Sequence, residues 1–201
     1  MDAKRVARAV ERWARENLEK LPWRGERSLY RLLVAEILLK RTTRKAASLV
    51  YMQFIEKYPT LEDLCKASVE EVEQLLRPIG LYNQRARQLV QICEHRHVLE
   101  KATTWRELAR LPGVGEYTAK AIGAILFGER VIGIDGNVKR LLVRVFGRYD
   151  DKIADALAME AEDTRLLQLG LVDLGYRICA PRRPKCNKCP LAETCLYTRQ
   201  H

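Results

Sequence analysis

Nothing in the 201 residues resembles a membrane span: no apolar run approaches the ~20 residues that cross a bilayer. The opening Met1-Asp2-Ala3-Lys4-Arg5-Val6 also lacks the apolar stretch of about 7–15 residues that marks a secretory leader. A membrane or secreted protein is therefore not expected. Strand patterning is missing as well, since apolar and polar residues nowhere keep up an alternation. There is no internal repeat and no low-complexity linker. Aromatic residues are sparse at 7%, yet hydrophobic residues make up 47% and charged residues 31%, which excludes disorder and allows a substantial core. At this length one large or two small domains are expected.

What is abundant is positive charge. The 36 Lys and Arg outnumber the 26 Asp and Glu, leaving a net charge of +10. Such an excess implies a polyanionic partner, most often nucleic acid. Ile178 to His201 concentrates it: Arg182, Arg183, Lys185, Lys188 and Arg199 stand against Glu193 alone. Clustered charge suits a phosphate backbone better than spread charge does.

The 6 cysteines divide into two kinds. Cys65 and Cys93 are isolated in helical-looking segments and are read as ordinary buried small residues. The other four form one run, Cys179-x6-Cys186-x2-Cys189-x5-Cys195. Disulfides are disfavoured there, because nothing points to secretion. Zinc modules usually offer two short-spaced pairs set well apart. One short pair with a longer spacer on each side favours a four-thiolate loop around an iron–sulfur cubane, with zinc as the alternative.

The hydrophobic period is helical almost everywhere, and about eight to ten helices of an all-α fold are predicted. Val6, Val10, Trp13 and Leu18 would line one face of the first. Thr60, Ser68 and Thr104 look like N-caps, the last two with capping-box spacing to Glu71 and Glu107. Val138 to Phe146 and Ile153 to Leu167 read as two later helices. Two carboxylates stand in unusual company. Glu36 is the single acid within Val34-Ala35-Glu36-Ile37-Leu38-Leu39, where a lone carboxylate is costly, so it is either ion-paired or functional. Asp135, in Ile134-Asp135-Gly136-Asn137, reads as an N-cap that can also serve as a catalytic acid.

Leu111-Pro112-Gly113-Val114-Gly115-Glu116-Tyr117-Thr118-Ala119 is the most informative segment. Two glycines one residue apart, just before a helix, allow a tight turn that offers backbone N–H groups to a phosphate. Asp135 follows twenty residues after Gly115. On this hairpin, on Ile134 to Arg140, on Gly80-Leu81-Tyr82-Asn83 and on the four-cysteine loop, the chain resembles the helix–hairpin–helix (HhH-GPD) DNA glycosylases. The resemblance runs from about Leu21 to Cys195. It implies an all-α fold of two helical domains with a DNA-binding groove between them. Residues 25–131 would form a six-helix barrel carrying the hairpin at 111–119, and 1–24 with 132–201 a second domain carrying the loop at 179–195. It further implies a [4Fe–4S] cluster held by Cys179, Cys186, Cys189 and Cys195, and extrusion of the target base from the duplex, which a glycosidic bond inside the stack requires.

The branch turns on the residue two after Gly115. Endonuclease III-like members that also cleave the strand carry a lysine there, and MutY-like adenine-removing members commonly a serine. Here it is Tyr117, which cannot form a Schiff base. A tyrosine at this place resembles the thymine–DNA glycosylases that act on G·T and G·U mismatches, as do Glu36 to Thr43 and Ile178 to Arg182. The chain stops soon after Cys195, without the added domain of MutY-like enzymes, which agrees with that branch. Lys120, one turn beyond Tyr117, is expected to contact phosphate rather than act as a lyase nucleophile. The resemblance then implies these roles: Asp135 catalytic, Glu36 positioning water or the base, Tyr117 bounding the base, Leu81 wedging into the stack and Arg41 meeting the orphaned guanine. Gly113, Val114, Gly115 and Thr118 would hold the DNA backbone. Plainer roles stand beside these: helix packing for Leu81 and Tyr117, a phosphate contact for Arg41. The expected partners are double-stranded DNA with G·T or G·U mismatches and enzymes that process the abasic site. The protein is expected to be a monomer of the cytoplasm or nucleoid, of prokaryotic type. An endonuclease III-like bifunctional enzyme, a MutY-like adenine glycosylase and a non-catalytic helix–hairpin–helix module are the rival readings. The high charged fraction with few Asn and Gln points mildly to a thermophilic source.

Overall fold

The computed structural model describes residues 2–200. No strand occurs among them, and the chain is built from helices joined by short turns. In order these are α1 (Ala3–Asn17), α2 (Leu29–Leu39), α3 (Arg44–Lys57), α4 (Leu61–Leu64), α5 (Val69–Leu76), α6 (Tyr82–Gln91), α7 (Arg96–Lys101), α8 (Trp105–Leu108), α9 (Glu116–Ile122), α10 (Gly136–Phe146), α11 (Asp151–Glu160), α12 (Thr164–Asp173) and α13 (Leu196–Gln200). Two π-helical turns extend α9 and α12, at Gly123–Phe127 and Leu174–Ile178. The surplus over the expected number of helices comes from one-turn pieces such as α4 and α8.

Local chemistry sets many of the boundaries. Ser68 caps α5 with the reciprocal bond from Glu71, and Thr104 does the same at α8 with Glu107. Thr60 forms a third capping box, completed by the shorter Asp63. One expected helix breaks in two. Ile153 to Leu167 is interrupted where Asp163 caps α12, accepting from the Leu166 N–H at 3.0 Å, while its own N–H donates to Glu11 Oε1 at 2.9 Å. The apolar period runs across this break, so periodicity did not reveal it.

The chain divides into two compact units, Lys20–Thr118 and Met1–Glu19 with Ala119–His201. The division falls inside α9, whereas the expected domain boundary lay at 131. In the second unit α1 packs on α11 and α12. Val6, Val10, Leu141, Leu142, Leu157, Leu167, Leu171 and Leu174 form its core, and Cys179 and Cys195 belong to the same cluster. At roughly 25 cal/mol per Å² of apolar surface, each such leucine contributes on the order of 2 kcal/mol relative to exposure.

In the unit Lys20–Thr118, α2 packs on α3 and α6. Leu32, Leu33, Ile37, Leu38, Phe54, Leu64, Leu76, Leu89 and Leu108 are buried in it. The Tyr30 hydroxyl donates to the Tyr58 carbonyl at 2.8 Å, tying α2 to the end of α3. Cys65 and Cys93 are a correction to the sequence reading: they form a disulfide, with Cα atoms 5.5 Å apart, and Cys65 is exposed. Two cysteines separated by 28 residues give no local sign of pairing; the fold brings the end of α4 beside the turn after α6. Closing a loop of that length stabilises by about 3–4 kcal/mol on the chain-entropy account. Thiol titration of the denatured chain is therefore expected to find Cys179, Cys186, Cys189 and Cys195 free, and all 6 cysteines only after reduction. Six free thiols without reductant would show that the bridge does not form.

Candidate active site

Asp135 is held through its carboxylate by two hydrogen bonds. It is the N-cap of α10, with extended backbone, and its Oδ1 accepts from the Val138 N–H at 2.7 Å. Its Oδ2 accepts from Asn137 Nδ2 at 3.1 Å. The approach to it is fixed by Gln168, fully buried on α12, whose side-chain amide accepts from the Gly133 N–H at 2.7 Å and donates to the Gly133 carbonyl at 3.2 Å. Such a two-bond amide pairing satisfies a buried backbone segment that no helix or sheet serves. Asp135 itself remains half-buried.

The hydrogen bonds continue inward. Arg140 Nη2 donates to Asn137 Oδ1 at 3.0 Å and to the Gly175 carbonyl at 2.6 Å, and its Nε donates to the Cys179 carbonyl at 2.9 Å. Gly175 is glycine for a reason of space: a Cβ there would lie 2.8 Å from the Asn137 carbonyl oxygen. A continuous set of bonds thus joins Asp135, Asn137 and Arg140 to the first cysteine of the loop. Arg144 secures the next stretch, donating to Cys179 Sγ at 3.3 Å and to the Ala180 and Pro181 carbonyls at 2.8 Å. Cys195 Sγ donates to the Arg144 carbonyl at 3.3 Å.

Cys179, Cys186, Cys189 and Cys195 line one cavity, with Arg144 and Tyr197 among its other walls. Burial pushes the Cys189 thiol up to about 11, and the Cys179, Cys195 and Cys186 thiols around it act in the same direction. Among the described residues no three His, Cys, Asp or Glu side chains are grouped to hold a single metal ion.

In the unit Lys20–Thr118, Glu36 is half-buried on α2, and its charge acts on Lys40 one turn later. Burial lowers the Lys40 pKa, with Glu36 opposing and the Arg85 charge reinforcing the shift. Lys40 Nζ donates to the Gly113 carbonyl at 2.8 Å, and Gln88 Nε2 donates to the same oxygen at 2.8 Å. The hairpin is therefore pinned by its first glycine, which has φ +71 and no room for a Cβ against Gln88. Gly113, Gly115 and Glu116 are exposed, whereas Val114 and Thr118 are buried. Tyr117 and Lys120 are half-buried on α9.

Arg41 and Leu81 share a feature that no sequence pattern showed. They are the two non-glycine residues with positive φ among the described residues, at 52 and 59. Left-handed backbone at a bulky side chain costs about 1–3 kcal/mol each. Both side chains are exposed, Leu81 by 45%. Gln168, Arg140 and Arg85 were not singled out from the sequence, because each acts on backbone far away in the chain.

Residues 34–164 match the HhH-GPD family, described as HhH-GPD superfamily base excision DNA repair protein. The chain is 36% identical over 190 residues to a thymine/uracil-DNA glycosylase of Methanothermobacter thermautotrophicus, covering 88% of this chain and 85% of that one. It is 32% identical over 208 residues to a thymine-DNA glycosylase of Aeropyrum pernix, covering 96% of this chain and 93% of that one. The solved structure of a thermostable thymine-DNA glycosylase superposes with a TM-score of 0.87 at 32% identity, over 98% of both chains.

Proposed function

This chain belongs to the HhH-GPD superfamily of base-excision DNA repair proteins, and on that premise we propose that it is a monofunctional DNA glycosylase that removes thymine or uracil mispaired with guanine. The observation that carries the reading is the Asp135 carboxylate, held by Val138 and Asn137 on a residue that is only half-buried. In the reaction the C1′–N1 bond breaks, its electron pair leaves with the pyrimidine, and positive charge builds on the sugar. Asp135 stabilises that charge and takes a proton from the water that adds to C1′. Glu36 positions the water or hydrogen-bonds the base. Tyr117 bounds the base and supplies no amine, so the product is an abasic site on an intact strand, left for other enzymes to process.

A G·T or G·U pair costs less to open than a Watson–Crick pair, which lowers the barrier to extrusion. Leu81 wedges into the stack and Arg41 donates to the guanine left behind. The exposed glycines Gly113 and Gly115 bring the hairpin backbone against the phosphates, contacts that position without reading sequence. The basic loop around Arg182, Arg183, Lys185 and Lys188 adds charge to the same task.

Cys179, Cys186, Cys189 and Cys195 are proposed to hold a [4Fe–4S] cluster. Support comes from four thiols spaced around one cavity, the disposition in which each thiolate takes its own iron. The cluster would cross-link the loop, and base hydrolysis transfers no electron. Purified protein is expected to be brown, with iron and sulfide each near about four per chain; colourless protein with stoichiometric zinc overturns this assignment. The activity is tested by incubation with G·T, G·U, oxidised-pyrimidine and A·8-oxoguanine duplexes. Breaks in G·T and G·U strands that appear only after alkali are the expected result. Breaks without alkali, or action confined to the other two duplexes, would refute it.

A further inference from the structure

Arg85 heads the largest fully buried side chains of this chain, 2% exposed on α6. The chemistry above makes no use of its guanidinium, and burying a charge is costly unless its bonds are worth having. Burial lowers its pKa, and Nη1 has no hydrogen-bond partner among the described residues. The bonds that Arg85 does make run to two places. Nε donates to the Ile37 carbonyl at 3.3 Å and Nη2 to the Lys40 carbonyl, closing the end of α2 at the peptide that leads into Arg41. Its main-chain N–H donates to the Leu81 carbonyl at 3.0 Å. The side chain therefore holds the backbone that leads into the left-handed Arg41, whereas the main-chain bond to Leu81 is the first bond of α6, which any residue but proline would make.

Packing alone would be served by leucine or methionine, which fill the space without desolvating a charge. The planar fork of arginine is what reaches two carbonyls at a helix end together. We infer that Arg85 is a positioning residue that presets Arg41, so that it enters the duplex without first having to be ordered. The inference rests on the DNA role proposed for Arg41. Preorganisation of this kind strengthens engagement by removing an ordering cost that binding would otherwise carry.

The test uses the full chain and a G·T duplex with 2-aminopurine next to the thymine, whose fluorescence rises on unstacking. At saturating protein and well below melting, Arg85→Met is expected to blunt that rise. Thymine release in a single turnover is expected to slow roughly ten- to a hundredfold, at about 1.4 kcal/mol per decade. The melting temperature should stay level or rise, because an incompletely bonded buried charge has gone. Arg85→Lys keeps the charge and reaches one carbonyl, so it should restore part of the signal; it also carries the test if the methionine variant fails to fold. Native unstacking and release in these variants overturn the inference. A loss that tracks melting temperature alone overturns it too, since packing would explain that. Failure of the underlying reading looks different: Arg41→Ala would then unstack and release like the native protein, and the inference would fall with it.

Discussion

Asp135→Asn is expected to keep mismatch binding while base release falls on the order of 10³-fold, the scale set by loss of a positioned acid–base group. Asparagine is nearly the same shape, and its remaining oxygen can still accept from the Val138 N–H, so the start of α10 should persist. What disappears is the negative charge and the capacity to take a proton, the two properties that the proposed reaction asks of this residue. Single-turnover release from a G·T duplex, measured beside binding to the same duplex, separates the two roles. Near-native release would remove Asp135 from the chemistry. Loss of binding together with a lowered melting temperature would show that capping is all the residue does.

Tyr117→Lys is expected to add a reaction that the native protein lacks. An amine at this position attacks C1′, the base leaves, and loss of the ring oxygen from C1′ gives a Schiff base. Abstraction of a C2′ proton then expels the 3′ phosphate. The variant should nick G·T strands without alkali and give a protein–DNA adduct trappable by borohydride, where the native protein gives neither. A variant that releases thymine but neither nicks nor traps would show that position 117 does not face the sugar. Half-burial of Tyr117 at the start of α9 leaves a lysine side chain a route to solvent, so the substitution does not strand a charge.

The helix starts were legible because capping is local. Ser68 with Glu71, and Thr104 with Glu107, need only three residues of sequence to be recognised. Asp135 was legible for the same reason: an acid just ahead of an apolar period caps a helix wherever it occurs. The break at Asp163 was not, since the hydrophobic period carries on across it and only Glu11, far away in the chain, marks the spot. The Cys65–Cys93 bridge was misread because isolation along the chain says nothing of distance in space. Nor did the sequence tell that the turn which exposes Gly113 and Gly115 buries the side chains of Val114 and Thr118.

The amino-acid order alone determined a basic, all-helical chain, with an acid at a helix start, a two-glycine turn and four thiols in one loop. Those properties are set by charge, by periodicity and by bonds between near neighbours, all of which act over a few residues. Tertiary structure decided what holds those parts in place: Gln168 on the backbone of Gly133, Arg140 between Asn137 and the Cys179 carbonyl, Arg85 on the carbonyls that lead into the strained Arg41. Each of these polar side chains would be read as a solvated face of its helix. Only packing withdraws it from water, and once buried it must find backbone groups that may lie anywhere in the chain.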